Sequence, residues 1–463
     1  MTQLPKIELT GKPNYRKLAE DFDFFQLFKK IERRYSNCFL LESLGEESYI
    51  SRYHIIGFDP QVIVYAKDRN TLCIENTNTS STASFEVENP YYALREVVPH
   101  NVISRRYAGG LVGYIGYDSI NFFEPTLDVK TSDYFEPFKF GVYKDGIVYD
   151  KMTGEIFYFH YDLDRFSEVE TLLNEPDVEP GEISVQFLHD TMDREQHAAA
   201  VERVKKDILD GLIFQCEVGF KSRYEIKGDT IQIYEKLREV NPSPHMYFAK
   251  FGEQQIIGAS PELLFRLRQG EMETFPLAGT INRGKTPEED VQLARKLLND
   301  PKEIAEHNML VDLHRNDIGR VARFGTVKVR SLMDIKRYSH VQHISSEIVG
   351  IIHEKEDMFS ALASNFPAGT LSGAPKIEAI KIIDELETDG RGPYGGALGQ
   401  FSFNGDCAFA IPIRTLFVNG SDAYAQTCGG NVYDSIAENE YLEIQRKLAA
   451  MKKTLSTFEG TSE

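Results

Sequence analysis

Between residues 36 and 160 the apolar positions come in short runs broken by turn residues, the pattern of successive strands. Tyr49-Ile50-Ser51-Arg52-Tyr53-His54-Ile55-Ile56 and Val62-Ile63-Val64-Tyr65 are two such runs. Asp145-Gly146 and Lys151-Met152-Thr153-Gly154 supply turns between stretches rich in Tyr and Phe. Asn76–Ser84 is polar and low in complexity and reads as an exposed loop. Asn174–Gly181 is acidic, carries Pro and Gly, and has no period. It marks a linker over 174–185 between an N-terminal region, 1–173, and a catalytic region, 186–463.

Beyond the linker the period lengthens. Val201, Val204 and Ile208 stand at helical spacing behind a capping Asp193, with Gly211 as the stop. Thr286-Pro287-Glu288-Glu289 and Asp300-Pro301-Lys302-Glu303 each place a cap, then Pro at the first helical position, then Glu three residues after the cap. They predict one helix starting near 287 and another over about 301–314. A last helix is expected over about 437–454. Strand-like runs between these helices, with hairpin turns such as Asn404-Gly405, indicate α+β with antiparallel sheets rather than a doubly wound parallel sheet.

Phe366–Ile383 changes character within itself. A turn-like Pro367-Ala368-Gly369-Thr370 leads to a helix with Ile377, Ile380 and Ile383 on one face. Small residues at Gly369, Ser372, Gly373 and Ala374 let a ligand approach the backbone, and the helix start offers N–H groups to an anion. Ordinary helix capping is the plainer reading of the same residues.

The net charge of −19 over 463 residues argues against nucleic acid or an anionic membrane as partner. An anionic substrate would need clustered cations or a metal. Five scattered cysteines, without CxxC spacing, fit reduced thiols rather than a disulfide framework or a zinc site. The first residues, MTQLPKIELT, lack a basic-then-apolar signal pattern, and no apolar run approaches the ~18 residues of a membrane span. A cytoplasmic location is expected.

Glu303 and Glu306 lie three apart on one predicted helix, and Glu440 and Glu443 on another, with Lys447 one turn further. If the two faces meet, the carboxylates require a cation, and a hard, oxygen-only set suits Mg²⁺. Two solvated acidic faces are the bland alternative. Gly279-Thr280-Ile281-Asn282-Arg283-Gly284-Lys285-Thr286 fits the phosphate-binding pattern G-x-x-x-x-G-K-T and raises a nucleotide hydrolase as a competing class. Glu288 and Glu289 would then occupy the positive end of the helix where phosphate should sit, which marks the match as a decoy. Glu262, between Gly258-Ala259-Ser260-Pro261 and Leu263-Leu264-Phe265, is a carboxyl in an apolar setting, where its pKa would rise and it could act as an acid. His343 stands alone in a strand-like run. Arg414 follows Ala410-Ile411-Pro412-Ile413 and implies an anionic partner. Cys428-Gly429-Gly430 is another place for close backbone approach.

Together these segments resemble anthranilate synthase component I, a family of chorismate-utilising enzymes. The resemblance spans nearly the whole chain and is strongest from Phe214 to Lys447. It is carried by Gly258–Glu262, Pro276–Thr280, Glu306–Asp317, Phe366–Ile383, Tyr394-Gly395-Gly396, and Asp434-Ser435 with Glu440 and Glu443. It implies a four-layer α/β/β/α fold of two orthogonally packed, mostly antiparallel sheets. It also implies Mg²⁺ on Glu306 and Glu443 with Glu303 and Glu440 close by. Chorismate would be held by Gly279, Thr280, Thr370, Tyr394, Arg414, Cys428, Gly429, Gly430 and Lys447, with Glu262 as acid and His343 serving the pyruvate elimination. Related isochorismate- and salicylate-forming enzymes place lysine at the position of Gln215, and aminodeoxychorismate synthases usually place lysine at that of Ala278. Gln215 with Ala278 therefore favours ammonia as the nucleophile and anthranilate as the product, with aminodeoxychorismate or isochorismate synthesis as the alternatives. The resemblance further implies a separate glutamine amidotransferase subunit (component II). It implies tryptophan inhibition at Ser43, Pro244, His245 and Met246, although Leu40-Leu41-Glu42-Ser43 is equally an ordinary strand end. An inactive scaffold is the remaining alternative.

Overall fold

A computed structural model of the chain describes residues 3–19, 22–45, 52–104, 106–337 and 341–460. Within these residues the strands form two sheets of twelve, and neighbouring strands run antiparallel. The first sheet runs from Asn14–Lys17 at one edge, through Asn37–Glu42 and His245–Phe251, to Asp422–Asn431, Gln215–Gly228 and Ile183–Asp190. The second runs from Leu277–Asn282 and Val341–Ile351, through Leu263–Arg268 and Ala397–Ser402, to Gly110–Ile115 and the hairpin Thr71–Asn76/Ser81–Glu86. Strands from both sides of the 174–185 segment share each sheet.

The sheets pack face to face because each strand turns large apolar side chains inward. Phe39, Tyr247 and Phe417 of the first sheet and Phe140, Phe401 and Phe409 of the second belong to one buried core. The rings of Phe39 and Tyr143 meet edge to face at 4.7 Å. The opposite face of the first sheet is covered by helices that bring Leu237, Ile444, Leu448 and Met451 against Val218, Phe220 and Ile257. Helices Pro287–Leu297 and Pro301–Gly319 lie on the second sheet at the strands Leu277–Asn282 and Val341–Ile351. This is the expected helix–sheet–sheet–helix layering.

The predicted helix starts are present. Asp193 accepts from the Gln196 N–H at 2.8 Å and the Gln196 side chain returns to the Asp193 N–H, a reciprocal cap for Arg194–Leu209. Thr286 and Asp300 cap the next two helices, each with Pro in its first turn. The helix expected over 301–314 continues to Gly319, and the last one spans Ala437–Ser456. Asn76–Ser84 is not simply a loop: Asn76 pairs with Ser81 and Cys73 with Ser84 in an edge hairpin. Ser81–Ser84 are exposed on both faces of the strand, so no apolar alternation betrayed it. In the run that begins at Tyr49, Tyr49, Ile50 and Ser51 lie outside the described residues, and the strand is described over Tyr53–Phe58.

Candidate active site

Glu262 sits just beyond the strand Gln254–Ser260, where the Ser260 hydroxyl accepts from its N–H at 3.2 Å. Its carboxyl is buried and accepts a hydrogen bond from Thr370 Oγ1 at 3.0 Å. Burial pushes its pKa up to about 8, with repulsion from Glu217 added and the Thr370 bond, Arg414 and Lys447 opposing. It is therefore a protonated acid at neutral pH. Thr370 is delivered by the short turn Gly369–Leu371, packed so closely that a Cβ on Gly369 would stand 2.2 Å from Leu313 Cδ2. Gly373 is used the same way: a Cβ there would meet the Gln215 carbonyl at 2.2 Å. The small residues of Phe366–Ile383 thus serve, at these two positions, close packing of the chain on itself.

His343 comes from the strand Val341–Ile351. Its Nδ1 lies 3.0 Å from the Gly279 carbonyl and 3.1 Å from Thr280 Oγ1. A carbonyl only accepts, so Nδ1 carries the hydrogen and Nε2 is the basic nitrogen. Burial, then the nearby Arg414 charge, lowers its pKa to about 4, and the ring is neutral near pH 7. Gly279 lies in the left-handed region at φ 69°, at the irregularity where the ladder skips between Ala278 and Thr280. Arg414 has φ 52°, a conformation that costs a non-glycine residue about 1–3 kcal/mol. Its charge acts on both Glu262 and His343.

Strand alternation puts Gln215 and Glu217 on one face of Gln215–Gly228, while Cys216, Val218 and Phe220 enter the helix-side core. Gln215 Nε2 donates to Glu217 Oε1 at 3.1 Å, and Cys428 Sγ donates to Glu217 Oε2 at 3.2 Å. Tyr394 donates its hydroxyl to Cys428 Sγ at 3.2 Å. Lys447 Nζ donates to the Cys428 carbonyl at 3.0 Å and pairs with Glu443 at 2.9 Å. Burial pushes the Glu217 carboxyl up to about 7, and Lys447 is the largest opposing influence.

The two carboxylate pairs stand in the opening turns of helices from different layers, and they act on one another. Burial and then the Glu306 charge raise the Glu303 pKa; burial, with Glu443 contributing, raises that of Glu306. Glu440 is raised by burial and by Glu443. Glu303 reaches the Gly279 turn, its Oε2 being 2.8 Å from where a Cβ would lie, and Glu440 Oε2 is 3.6 Å from the equivalent point at Gly429. Among the described residues no three carboxylate, His or Cys side chains are drawn together as a closed ligand shell. An oxygen-only set whose members repel one another at neutral pH nevertheless fits a hard cation.

Three residues of this region carry no mark in the sequence motifs: Glu217, Glu387 and Arg391. Arg391 is buried, forms two bonds to Glu387 at 2.9 and 2.7 Å, and donates to the carbonyls of Leu371 and Glu217. It ties the Thr370 turn to the Glu217 strand. Glu217 could have been found as the one carboxylate within the apolar stretch Ile213–Phe220; Arg391 had no comparable signal in Gly390-Arg391-Gly392.

The phosphate-loop pattern does not form a nucleotide site. Its first half is the strand Leu277–Asn282, and Arg283 grips Asp290 at 2.6 Å. Ser43, Pro244, His245 and Met246 line a separate cavity of about 180 Å³, together with Leu263 and Arg266. The buried Ser43 hydroxyl has no hydrogen-bond partner among the described residues. Burial and Arg266 lower the His245 pKa to about 4, so this ring too is neutral. All five cysteines are free and buried, and no helix among the described residues is long and apolar enough to cross a membrane.

Residues 36–453 match the chorismate binding enzyme family. The chain is 52% identical over 464 residues to anthranilate synthase component 1 of Leptospira biflexa, covering 99% of each. It is 43% identical over 431 residues to the protein of that name from Methanothermobacter thermautotrophicus, covering 93% of this chain and 92% of the relative. Among solved structures it resembles anthranilate synthase component I from Streptococcus pneumoniae, with a TM-score of 0.77 at 34% identity, covering 88% of this chain and 93% of that one. The menaquinone-specific isochorismate synthase of Escherichia coli shares the fold, with a TM-score of 0.74 at 16% identity over 97% and 96% of the two chains.

Proposed function

The chain belongs to the chorismate-binding enzyme family, and from that premise we propose that it aminates chorismate with ammonia and eliminates pyruvate, giving anthranilate for tryptophan synthesis. The observation that carries this reading is a protonated, buried Glu262 and a neutral His343 that both feel the charge of Arg414, in a chain that has Gln215 and Ala278 where a nucleophile-activating or attacking lysine would redirect the reaction.

Chorismate carries two carboxylates, and Arg414 and Lys447 supply the opposing charge. The C4 hydroxyl is a poor leaving group until protonated. Glu262 gives it the proton, the C4–O bond breaks, water leaves, and ammonia forms a bond to C2. Neutral His343, with Nε2 as its basic nitrogen, then takes the C2 proton. The C3–O bond breaks, the enolpyruvyl fragment takes up that proton from His343 and leaves as pyruvate, and the ring becomes aromatic. Thr370 holds Glu262, and Gly279 with Thr280 holds His343, so the two proton-transfer groups are fixed before substrate enters. Glu303, Glu306, Glu440 and Glu443 would hold Mg²⁺, which when bound neutralises the ring carboxylate as charge moves through the ring.

Ammonia is mostly protonated to unreactive ammonium at neutral pH, so the need for a delivered supply of ammonia favours a partner glutamine amidotransferase, the component II implied by the names of the relatives. Chorismate with ammonium and Mg²⁺ is expected to give fluorescent anthranilate and pyruvate in equal amounts. Accumulation of 4-amino-4-deoxychorismate or isochorismate refutes this reading.

The separate cavity supports tryptophan as inhibitor: it joins the unpartnered Ser43 hydroxyl to an apolar wall, and Leu263 on that wall follows Glu262 directly. Ser43→Phe fills it. The tryptophan concentration for half inhibition should rise at least about tenfold, with uninhibited turnover kept within about twofold. Titration of both proteins with tryptophan checks this, and an unchanged inhibition curve leaves Ser43 as only a strand end.

A further inference from the structure

The mechanism above leaves Glu217 without a task, although it is buried in the wall of the site. Its Oε1 accepts from Gln215 Nε2 at 3.1 Å and its Oε2 from Cys428 Sγ at 3.2 Å. Gln215 is 3% exposed, and among the described residues its Oε1 has no hydrogen-bond donor. A buried acceptor left unsatisfied is costly and points to an absent donor. Both side chains lie against Gly430: a Cβ there would stand 2.5 Å from Glu217 Oε1 and 2.6 Å from Gln215 Nε2. The missing side chain at 430 is therefore what allows the pair to occupy this place. Lys447 hydrogen-bonds Glu443 and the Cys428 carbonyl and acts on Glu217 through its charge, without a hydrogen bond to it.

What remains is a small corner rich in acceptors: one amide oxygen and the further lone pairs of the Glu217 carboxylate, with the Glu306 carboxylate also facing the Gln215 amide. Its complement is a compact cation made only of donors. Ammonium has that chemistry, whereas chorismate, a dianion, is repelled by it. We propose that Gln215 Oε1 and the Glu217 carboxylate form the binding subsite for the incoming ammonium ion, and that Glu217 takes its proton to release ammonia for attack at C2. This rests on the reading of the chain as a chorismate-aminating enzyme.

The step balances. Ammonium loses one proton to Glu217 and becomes ammonia. Its lone pair forms the C2–N bond as the C4–O bond breaks, and the hydroxyl leaves as water with the Glu262 proton. The nitrogen stays in the product as an ammonium group. Glu217 has gained the proton that Glu262 has lost, and exchange with solvent resets both.

Glu217→Gln and Glu217→Asp test the assignment, with initial rates measured against ammonium at saturating chorismate and against chorismate at saturating ammonium. Glu217→Gln should raise the KM for ammonium by about tenfold or more, the loss of one charged hydrogen bond, with the KM for chorismate within about twofold. Glu217→Asp keeps the charge at shorter reach and should fall between. If Glu217→Gln does not fold, as read by its melting curve, the Asp variant must show the same split by itself. Parallel rises in both KM values, or an unchanged ammonium KM, overturn the proposal and leave Glu217 as a structural counterweight to Lys447. Wild-type protein that forms no anthranilate from chorismate and ammonium defeats the underlying reading, an outcome separate from either.

Discussion

Glu262→Gln should lower kcat about a thousandfold while moving the KM for chorismate little, because general acid assistance to a poor leaving group contributes roughly 10²–10⁴ in rate. The amide keeps the shape and can still accept from Thr370, so the site should survive and only the proton is lost. The pH profile gives a second test. A buried acid whose pKa stands at about 8 is protonated below that value and ionised above it. Wild-type kcat should therefore hold through neutrality and fall as pH rises through about 8, and the residual activity of Glu262→Gln should lack that alkaline fall. A variant within about tenfold of wild type would remove Glu262 from the chemistry.

Glu443→Gln should cut turnover at saturating Mg²⁺ by about 10²–10³, the scale of a lost metal ligand and its charge stabilisation. The substitution also releases Lys447, which pairs with Glu443 at 2.9 Å. Freed of that partner, the ammonium can turn to the Cys428 carbonyl and Glu217 alone. A readout independent of turnover is the rise in melting temperature that Mg²⁺ produces when it binds the folded state. Wild type should show that rise and Glu443→Gln should lose it. A preserved rise with lost activity would place Glu443 in substrate binding through Lys447, and preserved activity would return the four glutamates to ordinary acidic helix faces.

Much of the site was legible because its groups stand out against their surroundings. Glu262 and Arg414 interrupt apolar runs, and charge in such a place has to be answered by something nearby. The helix starts at Asp193, Thr286 and Asp300 were legible because capping is a local matter, settled within four residues. The hairpin over Thr71–Glu86 was missed in its second strand for the opposite reason: an edge strand wet on both faces has no apolar period to read.

Local pattern was sufficient for the class of fold, the caps, the acidic character of two helix faces and the rejection of the phosphate loop, since each depends on neighbours three or four positions apart. Proximity between distant segments was not encoded in any such pattern. Glu217 meets Cys428 across 211 positions and Thr370 meets Glu262 across 108. Arg391 binds the two backbone segments that present them. The Glu217–Cys428 contact exists because antiparallel pairing of Gln215–Gly228 with Asp422–Asn431 sets its register, and burial then raises the pKa of Glu217 as it does that of Glu262.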